Sequence, residues 1–105
     1  MTTATLVPVF AALGDETRWN ILAALGEGEA SASALARRLP VTRQAITKHL
    51  AVLQEVGLVE PVRVGREIRF RVIASQLSET ARRLDVIGAR WDRRLAAIKQ
   101  IAEDL

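Results

Sequence analysis

Apolar residues recur every three to four positions over the first half of the chain, and glycine or proline interrupts this pattern at intervals. Such spacing is typical of amphipathic helices. Within residues 8–28 we predict two helices, the first of them short and with Pro8 in its first turn. Asp15 is a favourable N-cap for the second helix, which we expect to end at Gly26 or Gly28.

Two further helices are predicted within residues 31–58. Ser31 can cap the third helix, and Pro40 ends it. Thr42 can cap the fourth helix, after which Gly57 is suited to the left-handed conformation that often terminates a helix. Two helices joined by so tight a turn form a helix-turn-helix candidate.

The apolar period changes from about 3.6 to 2 in residues 59–73, which predicts a β-hairpin around Gly65-Arg66. The alternation is between apolar Val62, Val64, Ile68, Phe70 and Val72 and basic Arg63, Arg69 and Arg71.

The length of the hairpin loop decides which residues face each other. A two-residue loop mixes apolar and charged residues on both faces. A three-residue loop, residues 65–67, pairs Val64 with Ile68 and keeps one face apolar. We predict the three-residue loop, which also places Arg63 opposite Arg69.

A last helix is predicted over residues 75–105, with Ser75 as its cap. Its apolar residues recur at seven-residue intervals at Leu77, Leu84, Trp91, Ile98 and Leu105, each of the first four followed four positions later by Ala81, Gly88, Leu95 or Ala102. Roughly 28 helical residues extend about 42 Å, more than a core this small can cover. The stripe either packs on its own domain or, as we predict, pairs with a second copy.

The fourth helix has two chemically distinct faces. Ile46, Leu50 and Leu53 fall within one arc and are predicted to face the core. The opposite arc and the first turn carry Arg43, Gln44, Thr47, Lys48 and Ala51. Glutamine can bond bidentately to adenine, arginine or lysine to guanine, and threonine to a phosphate or a thymine methyl. These residue types suit the major groove of DNA.

Charge is concentrated in the middle of the chain. Residues 37–71 hold eight cations and three acids, a net charge of +5, whereas the rest of the chain is at −2. A local excess of this kind is typical of nucleic-acid-binding surfaces. The predicted DNA-contacting residues are Thr42, Arg43, Gln44, Thr47, Lys48 and His49 on the fourth helix and Arg63, Arg66, Arg69 and Arg71 on the hairpin. His49 could instead serve a structural role or respond to pH.

Composition limits the other possibilities. The 105 residues suffice for one domain, which we predict over residues 1–105, and the chain has no cysteine. No apolar run approaches the roughly 20 residues that span a bilayer, and the first five residues lack a signal peptide's basic segment. We therefore expect a cytoplasmic protein.

Short motifs follow one another in a fixed order along the chain. They are FAALGDETR at residues 10–18, IL at 21–22, LARRL at 35–39, TKHLAVL at 47–53, GLV at 57–59, GRE at 65–67 and WDRRL at 91–95. In this order and spacing they resemble ArsR/SmtB-type winged helix-turn-helix repressors, from about residue 8 to near the end of the chain.

The resemblance implies a mainly α fold with a small β-hairpin, and a homodimer built from the first and last helices. The predicted dimerisation residues are Phe10, Leu77, Leu84, Gly88, Trp91, Leu95 and Ile98. It also implies repression by occlusion of a promoter, with the recognition helices about one DNA turn apart on a palindromic operator. The expected partners are double-stranded DNA and a second copy of the chain, with no membrane.

The chain departs from the metal-sensing members that it resembles. Those members use cysteine pairs on the third helix or Asp, His and Glu clusters on the last one, whereas this chain has no cysteine and a single histidine, His49. We therefore predict no metal site and no cofactor. Trp19 is a second departure, and it could pack under the second helix near Leu22, line an inducer pocket or lie in the dimer contact.

Two other functions are open to a winged helix of this kind: a protein-interaction module and a regulator that responds to a small molecule. An enzyme is not expected, because the sequence has no glycine-rich phosphate loop, no nucleophile–base pair and no metal cluster. The arginine-rich hairpin beside Thr47 and Lys48 favours DNA over a protein partner.

Overall fold

A computed structural model describes residues 3–104, with side chains from residue 7 onward. The predicted limits at residues 1 and 105, and with them Leu105 of the stripe, lie outside this range. The elements are α1 (Thr3–Leu13), α2 (Glu16–Glu27), β1 (Ala30–Ser31), α3 (Ala32–Arg38), α4 (Arg43–Glu55), β2 (Val59–Val64), β3 (Glu67–Val72) and α5 (Ala74–Glu103). The predicted fold class, a winged helix-turn-helix with a long last helix, is confirmed.

The three caps predicted at the starts of α2, α3 and α4 are present. Asp15 accepts a hydrogen bond from the Arg18 backbone N–H at 2.9 Å. Ser31 and Thr42 accept in the same way from backbone N–H groups three residues later, at 3.1 and 3.2 Å. The bond from the Arg18 amide to its carboxylate lowers the pKa of Asp15.

Two helix starts differ from the prediction. α1 begins at Thr3, so Pro8 lies inside the helix rather than in its first turn. Near a helix start a proline removes only one intrahelical hydrogen bond, so the helix can continue through it. α5 begins at Ala74 with Ile73 as an N-cap that makes no side-chain bond, and the predicted Ser75 cap is wrong.

α4 ends as the sequence predicts. Gly57 has φ +80°, its N–H donates to the Gln54 carbonyl at 3.0 Å, and the next N–H, of Leu58, reaches the Leu53 carbonyl at 3.0 Å. This pair of bonds is a Schellman motif, in which the residue after the cap is left-handed.

Replacing Gly57 by alanine should lower the free energy of unfolding by about 1–2 kcal/mol, because a side chain makes the left-handed conformation costly. The added Cβ would lie 3.9 Å from the Gln76 side chain, an ordinary contact, so the cost is in the backbone. Gly26→Ala, within α2 and with no atom within 4 Å of the new Cβ, should instead raise stability by about 0.4–1 kcal/mol. Urea unfolding of both variants at one protein concentration tests this, and equal shifts would contradict it.

The core lies where α2, α3, α4 and the loop after α4 meet. Ile21, Leu35, Ile46, Leu53 and Leu58 are all fully buried in it. The three residues predicted to form the buried face of α4, two of which are among these, are buried together. The core therefore fixes which side of α4 faces outward.

The sheet has a third strand that the sequence did not predict. β1 pairs antiparallel with β3, giving the order β1-β3-β2. β1 has only two residues, and Ser31 in it also caps α3. So short a strand leaves no periodic pattern, because its only reason to form is the partner that arrives about 40 residues later.

The predicted three-residue hairpin loop is wrong. Val64 pairs with Glu67, which leaves two residues, Gly65 and Arg66, in the loop. Gly65 has φ +62° while Arg66 is not in the positive-φ region, a combination that suits a type II′ turn with glycine first. Arg63 consequently lies opposite Ile68 and not opposite Arg69.

The observed register gives each face of the hairpin its own chemistry. On the inner face, buried Val59 pairs with Val72 and packs on the core. On the outer face, Glu60 lies opposite Arg71, and the two side chains form an ion pair at 2.7 Å. Core contact at the base of the hairpin and this ion pair favour the two-residue loop, although it leaves Val64 exposed on the outer face.

α5 extends far beyond the rest of the domain. It has 30 residues, and the molecule measures 67 × 28 × 22 Å with a radius of gyration of 18.0 Å. A compact chain of this length has a radius of gyration of about 13 Å. The N–H of Ile73, just before α5, donates to the Leu58 carbonyl at 2.9 Å. Only the start of α5 is therefore anchored in the domain.

Candidate nucleic-acid interface

The outward face of α4 carries the polar residues that the sequence assigns to DNA. Arg43, Gln44, Thr47 and Lys48 are all exposed, and together they line one shallow surface concavity of about 300 Å³. The Thr47 hydroxyl donates to the Arg43 carbonyl at 3.0 Å, which fixes its orientation and leaves its oxygen free to accept. Thr42, at the N-terminal end of this face, is occupied as the helix cap.

A larger groove lies between α3, α4 and the hairpin. Its volume is about 500 Å³, and three arginines from three different elements line it: Arg37 of α3, Arg43 of α4 and Arg66 of the hairpin loop. The groove shares Arg43 and Thr47 with the surface of α4, so the two form one continuous region. Arg37 and the neighbouring Ser33 were missed as site residues, although Arg37 lies within the basic stretch of the sequence.

Two of the four hairpin arginines lie toward the groove or at the tip. Arg63 pairs with Ile68 and shares its face with Phe70, and both of these apolar residues line the groove. Arg66 occupies the loop itself and is exposed. Within residues 3–104, neither arginine has a carboxylate oxygen within 4.0 Å.

The other two hairpin arginines lie on the outer face and are paired with carboxylates. Arg69 contacts Glu67 at 3.2 Å and Glu29 at 3.4 Å. Arg71 contacts Glu60 at 2.7 Å. The structure therefore does not gather the four arginines into one patch, and DNA contact by any of them stays a prediction.

His49 is placed away from the other α4 candidates. Its Nδ1 lies 3.3 Å from an Nη of Arg18, whose Nε donates to the Ala12 carbonyl at 2.7 Å. By the helical period, it lies on the opposite side of the buried stripe from Thr47. This position favours the structural role for His49, joining α4 to the junction of α1 and α2.

The apolar stripe of α5 is buried only at its start. Leu77 packs against the core, whereas Leu84 is 47% and Trp91 57% exposed, and Leu95 and Ile98 are exposed further along. A Cβ added at Gly88 meets no atom within 4 Å. Phe10, the predicted dimer residue of α1, is partly buried. The monomer thus leaves most of the stripe without a covering surface.

Charged residues frame the base of the stripe. Glu79 accepts from Arg82 at 2.7 Å and from Arg83 at 3.0 Å, and these bonds lower the pKa of Glu79 to about 2. Farther along the helix, the Arg94 guanidinium lies 5.5 Å from the centre of the Trp91 ring, within cation–π range.

Trp19 does not pack beneath α2. Its side chain is 57% exposed and lies on the side of the helix opposite buried Ile21 and Leu25. Of the roles considered for Trp19, the structure removes the packing one.

Metal and membrane association leave no structural trace in the described part of the chain. Between residues 3 and 104, no three or more His, Cys, Asp or Glu side chains come together in a way that could hold a metal ion. Over the same residues, no helix has the length and hydropathy needed to cross a bilayer.

Comparison with known proteins adds independent information. Residues 13–62 match the model of a helix-turn-helix domain family. An ArsR-like transcriptional regulator from Rhodococcus sp. RHA1 is 67% identical and superposes with a TM-score of 0.80 over 94% of this chain and 93% of that one. A homodimeric winged helix-turn-helix DNA-binding domain from Mycobacterium bovis, a possible ArsR-family regulator, is 26% identical, with a TM-score of 0.66 over 85% and 80% of the two chains.

A curated relative is the HTH-type transcriptional regulator CmtR of Mycobacterium tuberculosis. It is 39% identical over 67 residues, which are 64% of this chain and 57% of that protein. The match thus spans little more than half the length of that relative.

Proposed function

Because this chain belongs to the ArsR family of winged helix-turn-helix transcriptional regulators, we propose that it is a repressor that binds a palindromic operator as a homodimer. The observation that carries the proposal is the continuous surface formed by the polar face of α4 and the arginine-lined groove beside it. A helix fits the major groove of B-DNA, and flanking cations fit its phosphates.

In this arrangement α4 enters the major groove with its N-terminal half leading. Gln44 and Arg43 have the donors and acceptors that read base edges, and the Thr47 oxygen and Lys48 are suited to base edges or phosphates. The hairpin then lies along the adjacent backbone, with Arg66 at its tip. Repression follows by occlusion, since a bound dimer covers the promoter sequence that polymerase needs.

The dimer in this proposal is formed by α5 and α1. A two-fold axis between two α5 helices would cover the exposed part of the stripe, and it would present two α4 helices in opposite directions. Two-fold protein symmetry on DNA requires an inverted repeat with half-sites about one helical turn apart. The homodimeric relative from Mycobacterium bovis supports the same assembly.

Metal sensing is not proposed for this chain. CmtR of Mycobacterium tuberculosis is a cadmium metal-sensor, and soft thiolates are the ligands that such ions favour. The present chain has no cysteine. A response to a small molecule stays a prediction, as does the absence of enzymatic activity.

Salt dependence distinguishes a DNA-binding regulator from a protein-interaction module. We expect the purified protein to bind a fragment upstream of its own gene, with affinity falling about 10³–10⁵-fold between 50 and 200 mM salt if six to ten phosphates are contacted. Fluorescence anisotropy over a salt series measures this. Absence of salt-dependent binding to any DNA would refute the proposed function.

Substitutions separate base readout from backbone contact. Gln44→Ala should relax base preference by about 1–3 kcal/mol at one position of each half-site. Arg66→Ala should weaken binding to all sequences alike and flatten the salt slope by about 0.9 per protomer. Gln100→Ala and Arg93→Ala, exposed on α5 away from the apolar stripe, serve as matched controls. A uniform loss for Gln44→Ala, or an altered preference for Arg66→Ala, would contradict this assignment.

A further inference from the structure

The outer face of the hairpin is a closed set of ion pairs. Arg71 faces Glu60 across the two strands at 2.7 Å. Arg69 donates through Nε and an Nη to one oxygen of Glu67, at 3.3 and 3.2 Å, and through its other Nη to Glu29 at 3.4 Å. Both arginines therefore have their guanidinium groups directed at carboxylates of the protein itself.

The charges on the two sides of the hairpin differ in sign. The outer face brings two guanidinium groups together with three carboxylates, Glu29, Glu60 and Glu67, and so has a net charge of −1. On the other side, Arg37, Arg43 and Arg66 line the groove and have no carboxylate oxygen within 4.0 Å among residues 3–104.

A phosphate responds to this difference. An arginine that leaves its carboxylate for the DNA backbone also leaves that carboxylate unpaired beside other phosphates, where repulsion offsets the new contact. An arginine without a partner releases DNA counterions at no such cost. The groove side is thus available to the backbone, and the outer face is not.

We propose that Glu29, Glu60 and Glu67 act as built-in counterions that withhold Arg69 and Arg71 from DNA and so limit sequence-independent affinity. Base readout by α4 does not involve these carboxylates. They therefore raise the ratio of operator binding to non-specific binding, the quantity that matters when competing sites are abundant. This inference rests on the proposed DNA-binding function.

The test uses a DNA duplex of random sequence, which reports backbone contacts alone. Glu60→Gln should free Arg71, steepen the slope of log affinity against log salt by about 0.9 per protomer, and raise non-specific affinity roughly tenfold near 100 mM salt. Affinity for the operator should rise no more than this, so specificity does not improve. Glu103→Gln, an identical charge change near the end of α5, should leave the slope unchanged.

Two further variants identify the responsible cation. Arg71→Gln should leave the slope at its wild-type value, whereas Arg66→Gln should flatten it. The double variant Glu60→Gln/Arg71→Gln should return the slope of Glu60→Gln to that of the wild type. Circular dichroism and thermal unfolding of each variant verify that it is folded.

The outcomes that overturn the inference are specific. It fails if Arg71→Gln flattens the slope as much as Arg66→Gln does, or if Glu60→Gln has no more effect than Glu103→Gln. A wild-type protein without salt-dependent DNA binding would overturn the proposed function as well, and that measurement is made first. The two failures are therefore distinguished by whether the wild type binds.

Discussion

Replacing Leu84 and Trp91 together by glutamate should convert the dimer into monomers and lower operator affinity by about 10²–10⁴-fold. Both side chains are exposed in the monomer, and the proposed interface would bury them against a second α5, where an unpaired carboxylate is costly. A monomer engages one half-site, so the second binding event no longer benefits from being intramolecular. Light scattering after size exclusion measures the mass, and anisotropy measures the affinity.

A matched control keeps the added charge and changes its position. Ala89→Glu/Gln100→Glu adds two carboxylates to exposed positions of α5 outside the stripe and should leave the dimer intact. Because neither Leu84 nor Trp91 belongs to the buried core, the monomeric variant should still unfold cooperatively. The milder Leu84→Ser/Trp91→Ser should also be monomeric. A folded dimer with both glutamates would show that the interface lies elsewhere.

Leu53→Ala should lower the free energy of unfolding by about 2–5 kcal/mol, the usual cost of a Leu→Ala cavity. Leu53 is fully buried on the inner side of α4. Typical domains have only about 5–15 kcal/mol of stability, so this single change removes a large share of it. Urea unfolding at fixed protein concentration measures the loss.

Val64→Ala is the corresponding control for the cavity. Val64 is on the outer face of the hairpin and is 37% exposed, so its truncation should cost less than about 1 kcal/mol. Under conditions where Leu53→Ala remains folded, its DNA affinity should match that of the wild type, because α4 keeps its outward residues. A loss for Leu53→Ala no larger than that for Val64→Ala would contradict the description of the core.

Features set by neighbouring residues could be predicted from the sequence. The Asp15, Ser31 and Thr42 caps each span three residues, and the Gly57 terminus of α4 spans five. The buried and exposed faces of α4 follow from the helical period alone. For this reason the helix-turn-helix and the candidate surface on it could be read directly.

Features set by distant residues could not. The two-residue hairpin loop depends on Glu60 meeting Arg71 and on Val59 packing against the core, whereas alternation of apolar residues alone favours the longer loop. Arg69 is held by a carboxylate 40 positions away along the chain. Counting its charge in the sequence gave no sign that it is neutralised. Pairing of this kind is visible only after the chain has folded.

The hairpin is an excursion of residues 59–72 between two positions that already touch. The Ile73 N–H donates to the Leu58 carbonyl at 2.9 Å, so α4 and α5 are held together at its base whatever its length. Doubling the length of a flexible loop costs only about 0.6 kcal/mol, and adding residues in cross-strand pairs preserves which face each side chain occupies. The hairpin is therefore an exchangeable part, whose reach along DNA can be redesigned while the helices at its two ends stay in place.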